Sequence, residues 1–234
     1  MKISFEEKGN EVIFRIDNVE KKYSSILRDC YYQQAGNTYF KNFLKDSKDL
    51  SIIQHNFSIY ANEMFSQAGY FLTIPWEKAL TEFIERVNGS KITWWLVGSC
   101  AACIRGIPMK PHDIDIMIDS KNVADIHQLF LDCIVEPILD RRGWVTKDFG
   151  VIFLHARIDI ASDPQPAADK PTPSDFGPYA QQHLEKVTWK EYQIMVPPLY
   201  LYLDAAKRRG RLERVNLIEG YLSKNKKGQT IQEP

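Results

Sequence analysis

The chain has 234 residues, and its 30 basic and 30 acidic side chains cancel to a formal net charge of zero. It is 44% hydrophobic and 12% aromatic, enough apolar material for a core, so global disorder is excluded. The balanced charge also argues against coating nucleic acid by bulk electrostatics. The length allows one large domain or two small ones. No apolar run reaches the ~18 residues of a membrane span. The charged start, Met1 to Lys8, lacks the apolar stretch of a secretory signal. Four cysteines at this length do not make a disulfide framework, so a reducing, cytoplasmic setting is expected.

Along the chain, Val12, Phe14 and Ile16 alternate with polar neighbours after Gly9-Asn10, which predicts two short strands joined by a turn. Tyr23, Ile26, Leu27, Cys30 and Tyr31 have helical spacing. Residues 33–75 show no clear period and read as one or two helices with loops. After Pro75, the positions Trp76, Leu80, Phe83, Ile84 and Val87 form one helical stripe that Asn88-Gly89 ends. Ile92–Val97 is a continuous apolar run, read as a buried strand. Gly98-Ser99 follows, then a short helix to about Arg105. His112–Ile118 alternates strictly, with Asp113 and Asp115 on one face. A helix carrying Val123 to Cys133 follows Asp119-Ser120. Short strands are predicted over 149–154 and 157–160. Five prolines make 162–178 an extended loop. Tyr192–Val196 is a last strand. Helices from Leu199 and over Leu212–Leu222 precede a tail expected to fray after Ser223.

The chemistry is concentrated in three places. Residues at i and i+2 on a strand point the same way, so Asp113 and Asp115 converge on one face. Two carboxylates that close raise each other's pKa unless a cation intervenes. Hard divalent cations are the natural partners, and a pair of them can clamp both oxygens of an in-line phosphoryl displacement. Asp159 interrupts a second apolar strand between Ile158 and Ile160, and could complete a metal shell or take a proton from an attacking hydroxyl. Gly98 permits close backbone approach, and Ser99 with the helix start offers donors to a phosphate. Thirteen residues separate Ser99 from Asp113, enough for a short helix and a return to an adjacent strand.

Val97-Gly98-Ser99, the spacer, Asp113-Ile114-Asp115 and the later Asp159 together resemble the nucleotidyltransferase superfamily with the DNA polymerase β-like catalytic fold. The likeness covers about residues 76–222 and is greatest to stand-alone bacterial enzymes that include antibiotic nucleotidyltransferases. Arg105-Gly106 is similar to their Arg-Gly before the acidic strand. Val196 to Leu199, with Lys207 and Arg211 downstream, is similar to their C-terminal helix. Arg214-Val215-Asn216 departs from it, standing where such enzymes carry an acidic residue.

The resemblance implies an α+β fold, a small mixed sheet flanked by helices with a C-terminal helical segment. A catalytic domain is expected over 76–196 and a helical segment over 197–234, after an N-terminal element over 1–75 that the resemblance does not reach. The resemblance implies two Mg²⁺, or Mn²⁺, held by Asp113, Asp115 and Asp159. Gly98, Ser99, Arg105, Lys207 and Arg211 would hold the NTP. The reaction would move a nucleoside monophosphate to a hydroxyl acceptor, a small molecule or RNA, with release of pyrophosphate; the balanced charge favours the small molecule, the basic C-terminus the RNA. The alternative is a non-catalytic nucleotide-binding or interaction module on the same fold.

Other features carry less. Cys100 and Cys103 spell C-x-x-C, but no second pair or nearby histidine completes a zinc site, so packing behind the phosphate loop is expected. His112, His155 and Lys110 read as residues at strand ends. Trp94 and Trp95 sit inside the buried run and read as core. Residues 203–227 hold eight basic against three acidic residues, a patch suited to a triphosphate or an RNA, or simply a solvated helix face. The proline-rich loop could cover an acceptor.

Overall fold

The computed structural model describes residues 1–140 and 143–229, with no side-chain description for 225–229. The expected α+β class is what it contains. The first sheet is built from β1 (Lys2–Lys8), β2 (Glu11–Asp17), β3 (Gln33–Ala35) and β4 (Thr38–Leu44), in the order β1-β2-β4-β3 and antiparallel throughout. Val12, Phe14 and Ile16 of β2 are buried, as their alternation requires. The expected helix after residue 20 is shorter than its pattern. A single 3₁₀ turn leads into α1 (Ser24–Asp29).

Residues 33–75 differ from the helix-and-loop expectation, because two strands precede their one long helix, α2 (Leu50–Ala68). On β4, Tyr39, Lys41 and Phe43 are the buried set. A lysine in a core position breaks the apolar pattern by which the strand would be recognised. α2 buries Ile53, Phe57, Ala61, Met64 and Phe65, spaced by about one helical turn.

α3 (Trp76–Val87) buries the stripe Ala79, Leu80, Phe83, Ile84 and Val87. The central sheet follows: β5 (Trp94–Val97), β6 (Ile114–Ile118), β7 (Ile134–Asp140), β8 (Thr146–Leu154) and β9 (Ala156–Pro164), in the order β5-β6-β9-β8-β7. β6 and β9 are parallel and the other pairs antiparallel, so the sheet is mixed. The six residues 149–154 are all buried, as expected of a strand covered on both faces. The edge strand β7 accommodates Pro137 and two register irregularities. Between β5 and β6 lies α4 (Gly98–Cys103), and between β6 and β7 lies α5 (Val123–Leu129). α5 stops before Cys133, which is buried beyond its end.

The expected loop over 162–178 is partly regular. β9 runs on to Pro164, and a 3₁₀ turn occupies Pro166–Asp169. α6 (Pro178–Gln182) leads to a hairpin of β10 (Glu185–Trp189) and β11 (Tyr192–Val196). α7 (Leu199–Arg208) and α8 (Leu212–Gln229) close the described chain. α8 extends past the expected fraying point at Ser223, while residues 230–234 lie outside the described residues.

One apolar core runs without a break from Phe14 and Phe43 through Phe57 and Phe65 to Ile152 and Ile158, joining the first sheet to the central one across α2. A second cluster packs Ala206 of α7 and Ile218 of α8 against Ala102 of α4, setting the C-terminal helices beside the loop that follows β5. Among the described residues, no helix is long and apolar enough to cross a membrane.

Candidate active site

The site is built where β5 ends and β6 and β9 begin. Asp115 lies opposite Asp159 in the parallel β6–β9 register, and Asp113 lies two residues before Asp115. One oxygen from each of these three carboxylates lies within 4.8 Å of the other two. All three side chains are half-buried. Like charges directly opposite one another on neighbouring strands are unfavourable, so the sheet gains nothing structural from this pairing. Burial, then Asp113 and Asp159, push the Asp115 carboxyl well above the usual carboxylate range, with Arg157 pulling the other way. Asp159 is also raised by burial, and Arg157 again opposes the rise. A set of hard oxygen ligands crowded in this way fits a divalent cation of the Mg²⁺ or Mn²⁺ type.

Arg157 is buried on β9 two residues before Asp159. Its Nε donates to Asp159 Oδ1 at 2.6 Å and its Nη2 to Oδ2 at 3.1 Å, a fork that fixes the carboxylate plane. The i and i+2 spacing on the strand expected over 157–160 already puts the two residues on one face, and the structure adds the two hydrogen bonds.

Gly98 begins α4 with φ +68, a left-handed conformation that favours glycine. Ser99 behind it is buried at the cleft. Asp175 is an unexpected member. It comes from the proline-rich loop, is buried, and lines the cleft with Gly98, Arg209 and Arg211. Burial raises its carboxyl, while Arg209 and the backbone N–H of Gly98 hold the rise in check. Nothing in the spacing around Asp175 marks it in the sequence, because the loop only meets the sheet through the fold. Asp169 organises that loop by accepting from the backbone N–H of Ser174 at 2.9 Å and of Tyr179 at 2.7 Å.

The cleft holds about 840 Å³. The segment after α7 lines part of it with Arg209, Arg211 and Arg214. The residues after α1 contribute Tyr31, and the start of β8 contributes Thr146 and Phe149 with Trp144 just before. Of the residues expected at the nucleotide, Gly98, Ser99 and Arg211 line this cleft, and Arg105 and Lys207 do not. Arg105 donates to Glu185 at 2.5 Å and to the carbonyl of Pro197 at 2.8 Å, beside a small adjacent void. Lys207 pairs with Glu219 at 2.8 Å, so it fastens α7 to α8.

The remaining candidates have plain partners. His112 lies 3.3 Å from Asp113 and lines the cleft, whereas His155 sits in the β8–β9 turn 2.6 Å from Glu82. The Cys100 thiol donates to the carbonyl of Asp113 at 3.4 Å and the Cys103 thiol to that of Met109 at 3.5 Å. Both are free cysteines, and packing α4 onto β6 is their visible role. Trp95 is core, 1% exposed.

Residues 79–161, about a third of the chain, match the model of the aminoglycoside-2''-adenylyltransferase family. A solved Thermotoga maritima protein, described provisionally as a nucleotidyltransferase, is similar at 18% identity and a TM-score of 0.46, over 65% of this chain and 96% of that one. No curated protein matches. The family match begins in α3 and ends in β9, so Gly98, Ser99, Asp113, Asp115 and Asp159 all fall inside it. On that match, the segment that carries the three carboxylates and the Gly98-Ser99 turn is similar to a family of nucleotidyl-transferring enzymes.

Proposed function

We propose that the protein transfers a nucleoside monophosphate from an NTP to a hydroxyl of a small molecule, in a reaction that depends on divalent metal. The observation that carries this reading is the convergence of Asp113, Asp115 and Asp159 within 4.8 Å at the ends of two parallel strands. The acceptor oxygen forms a bond to the α-phosphorus, the bond from that phosphorus to the β-bridging oxygen breaks, and pyrophosphate leaves. The hydroxyl proton passes to Asp159 or, through it, to solvent.

In this reading Asp113 and Asp115 hold two Mg²⁺, or Mn²⁺, and Asp159 joins one of them. When bound, the metal supplies charge neutralisation at the attacking and leaving oxygens. The chain supplies position. Arg157 keeps Asp159 oriented and ionised through its two hydrogen bonds. Gly98 leaves room for the Asp115 carboxylate. Ser99 offers a hydroxyl donor to the phosphates. Arg211, with Arg209 and Arg214, offers guanidinium groups to the triphosphate tail. Residues 76–196 are the catalytic part, and 197–234 complete the nucleotide side. Arg105 and Lys207 support that side at one remove, through Glu185 and Glu219.

The test is calorimetric titration of each of the four NTPs with Mg²⁺ and again with EDTA, followed by pyrophosphate release with hydroxyl acceptors. Metal-dependent binding of at least one NTP is expected. Asp113→Asn and Asp115→Asn should abolish release while leaving the melting transition in place. Normal turnover by either variant would overturn the assignment. Absence of NTP binding under both conditions would favour a non-catalytic module on this fold.

A further inference from the structure

We propose that the N-terminal part of the chain builds the acceptor side of this cleft, and that the acceptor is a neutral hydroxyl compound with a flat ring. This rests on the nucleotidyl-transfer reading for what the bound molecule undergoes and for the metal and triphosphate that take up the charged part of the cleft, while the aromatic contacts stand without it.

Tyr31 is the first observation. It follows α1 at φ +66, with its N–H on the carbonyl of Arg28 and the Tyr32 N–H on that of Leu27. Helices that end in this way place glycine at such a position, because a side chain there is strained. Here a tyrosine is kept, and it is 58% exposed, so core packing does not account for it. Strained residues of this kind concentrate where ligands are held. The ring meets Trp144 edge-on at 5.6 Å between centroids, and Trp144 meets Phe149 in the same manner at 4.9 Å. All three line the cleft that holds the carboxylate triad. The Tyr31 hydroxyl is close enough to feel the charges of Asp159, Asp115 and Arg209. Phe149 is buried and backs Trp144, so the rings of Tyr31 and Trp144 are fixed at the edge of the reaction centre with apolar surface available to a flat ligand.

Charge gives the second argument. A polycation, such as an aminoglycoside, needs several carboxylates free to receive its ammonium groups. Of the acidic residues lining the cleft, the triad is committed to metal and to Arg157, and Asp175 lies among arginines. That leaves Asp29, whose chain neighbour Arg28 also lines the cleft. With Arg209, Arg211 and Arg214 in the same cavity, a polycation gains little and is repelled by the groups suited to the triphosphate. A neutral ring system pays no such penalty and gains the aromatic contacts.

The probes are 4-methylumbelliferyl β-D-glucoside, neutral and flat, and kanamycin, a polycation. Binding of each is measured with and without Mg²⁺ and a non-reactive NTP analogue, and the analogue's own affinity is measured separately. The glucoside is expected to bind at least tenfold more tightly than kanamycin. Tyr31→Gly should keep or raise the melting temperature, because it relieves the backbone, and should keep the nucleotide affinity within about twofold. The same variant should lose at least tenfold in glucoside affinity, and Trp144→Leu should lose it too. The proposal is overturned if kanamycin binds as tightly as the glucoside, if the glucoside does not bind, or if Tyr31→Gly leaves glucoside binding unchanged. It is equally overturned if Tyr31→Gly weakens the nucleotide instead, since the rings would then serve the donor base. Failure of the nucleotide analogue to bind the unaltered protein would strike the transferase reading alone, because glucoside binding is scored without it.

Discussion

A Cβ added to Gly98 would stand 2.3 Å from Oδ2 of Asp115 and 3.2 Å from its carboxyl carbon. The glycine that turns the chain out of β5 is thus also the space into which the Asp115 carboxylate fits. Gly98→Ala meets both a left-handed backbone, costing ~1–2 kcal/mol, and a displaced Asp115. The carboxylate is the end of a short side chain and can swing away, so the fold should survive with a melting temperature a few degrees lower. Metal-dependent NTP binding should fall by more than tenfold. Calorimetry beside thermal melts separates the two effects, and unchanged binding would remove Gly98 from the site.

Arg211 is partly buried beside Arg214 and Arg209, and burial followed by those two neighbours holds its guanidinium below its ordinary pKa. Three arginines this close repel one another, and Asp175 offsets only part of that repulsion, so a further anion is favoured there. Arg211→Ala should leave the nucleotide-free protein at least as stable as the parent. It should weaken NTP binding about ten- to a hundredfold, the worth of a hydrogen bond to a charged group at ~1.5–3 kcal/mol. Titration with NTP in parallel with a melt without it checks both signs, and a destabilised apo protein with normal affinity would contradict the role.

The first sheet and the central sheet are tied by a buried ion pair. Lys41 of β4 donates to Glu136 of β7 at 2.5 Å and to the carbonyl of Cys30 at 3.2 Å, and the Tyr32 hydroxyl donates to the same glutamate at 2.9 Å. Replacing one partner of such a pair strands the other charge, which costs ~3–5 kcal/mol. Lys41→Met should therefore lower the stability measured by urea unfolding by about that amount, whereas Lys45→Met, at an exposed pair with Glu7, should cost ~1 kcal/mol or less. Equal effects of the two variants would show that the buried pair holds nothing together.

Burial pushes the Cys103 thiol up to about 11, and Cys100 is raised by burial too. A free thiol near ~8.5 reacts readily at mildly alkaline pH, but one at about 11 is overwhelmingly protonated there. Alkylation of Cys103 by iodoacetamide should be slow at pH 7.5 and rise about tenfold per pH unit toward pH 11, the thiolate being the reacting form. Mass spectrometry of the modified peptide follows this directly. Fast alkylation at neutral pH would revive a redox reading of the Cys100–Cys103 pair.

The elements most plainly legible in the sequence are those whose burial pattern is purely apolar, although β6 and β9 are also read from it despite the charges they carry. β2, α3 and β5 show their alternation, stripe or run without interruption, and the structure places them within a few residues of the expected bounds. Four strands are passed over by the sequence reading, β3, β4, β7 and β10, and two of them, β4 and β7, carry Lys41 and Glu136 in buried positions. Each charge hides its strand when taken alone, and each is explained only by the other, 95 residues away. β7 also carries Pro137, tolerable because the strand is at the sheet edge, a fact of topology rather than of sequence.

The same division runs through the site. Spacing by itself determined that Asp113 and Asp115 share a face, that Gly98-Ser99 follows a buried strand and that Asp159 interrupts another, since these depend only on the period of a strand. Tertiary structure alone decided that Asp159 lies opposite Asp115 and that Asp175, Arg209 and Tyr31 reach the same cleft. It also decided that Arg105 and Lys207 are occupied by Glu185 and Glu219. Local chemistry fixes which way a side chain points along its own strand or helix. Which distant segment arrives to meet it is set by how the apolar faces pack, and that information is spread over the whole chain.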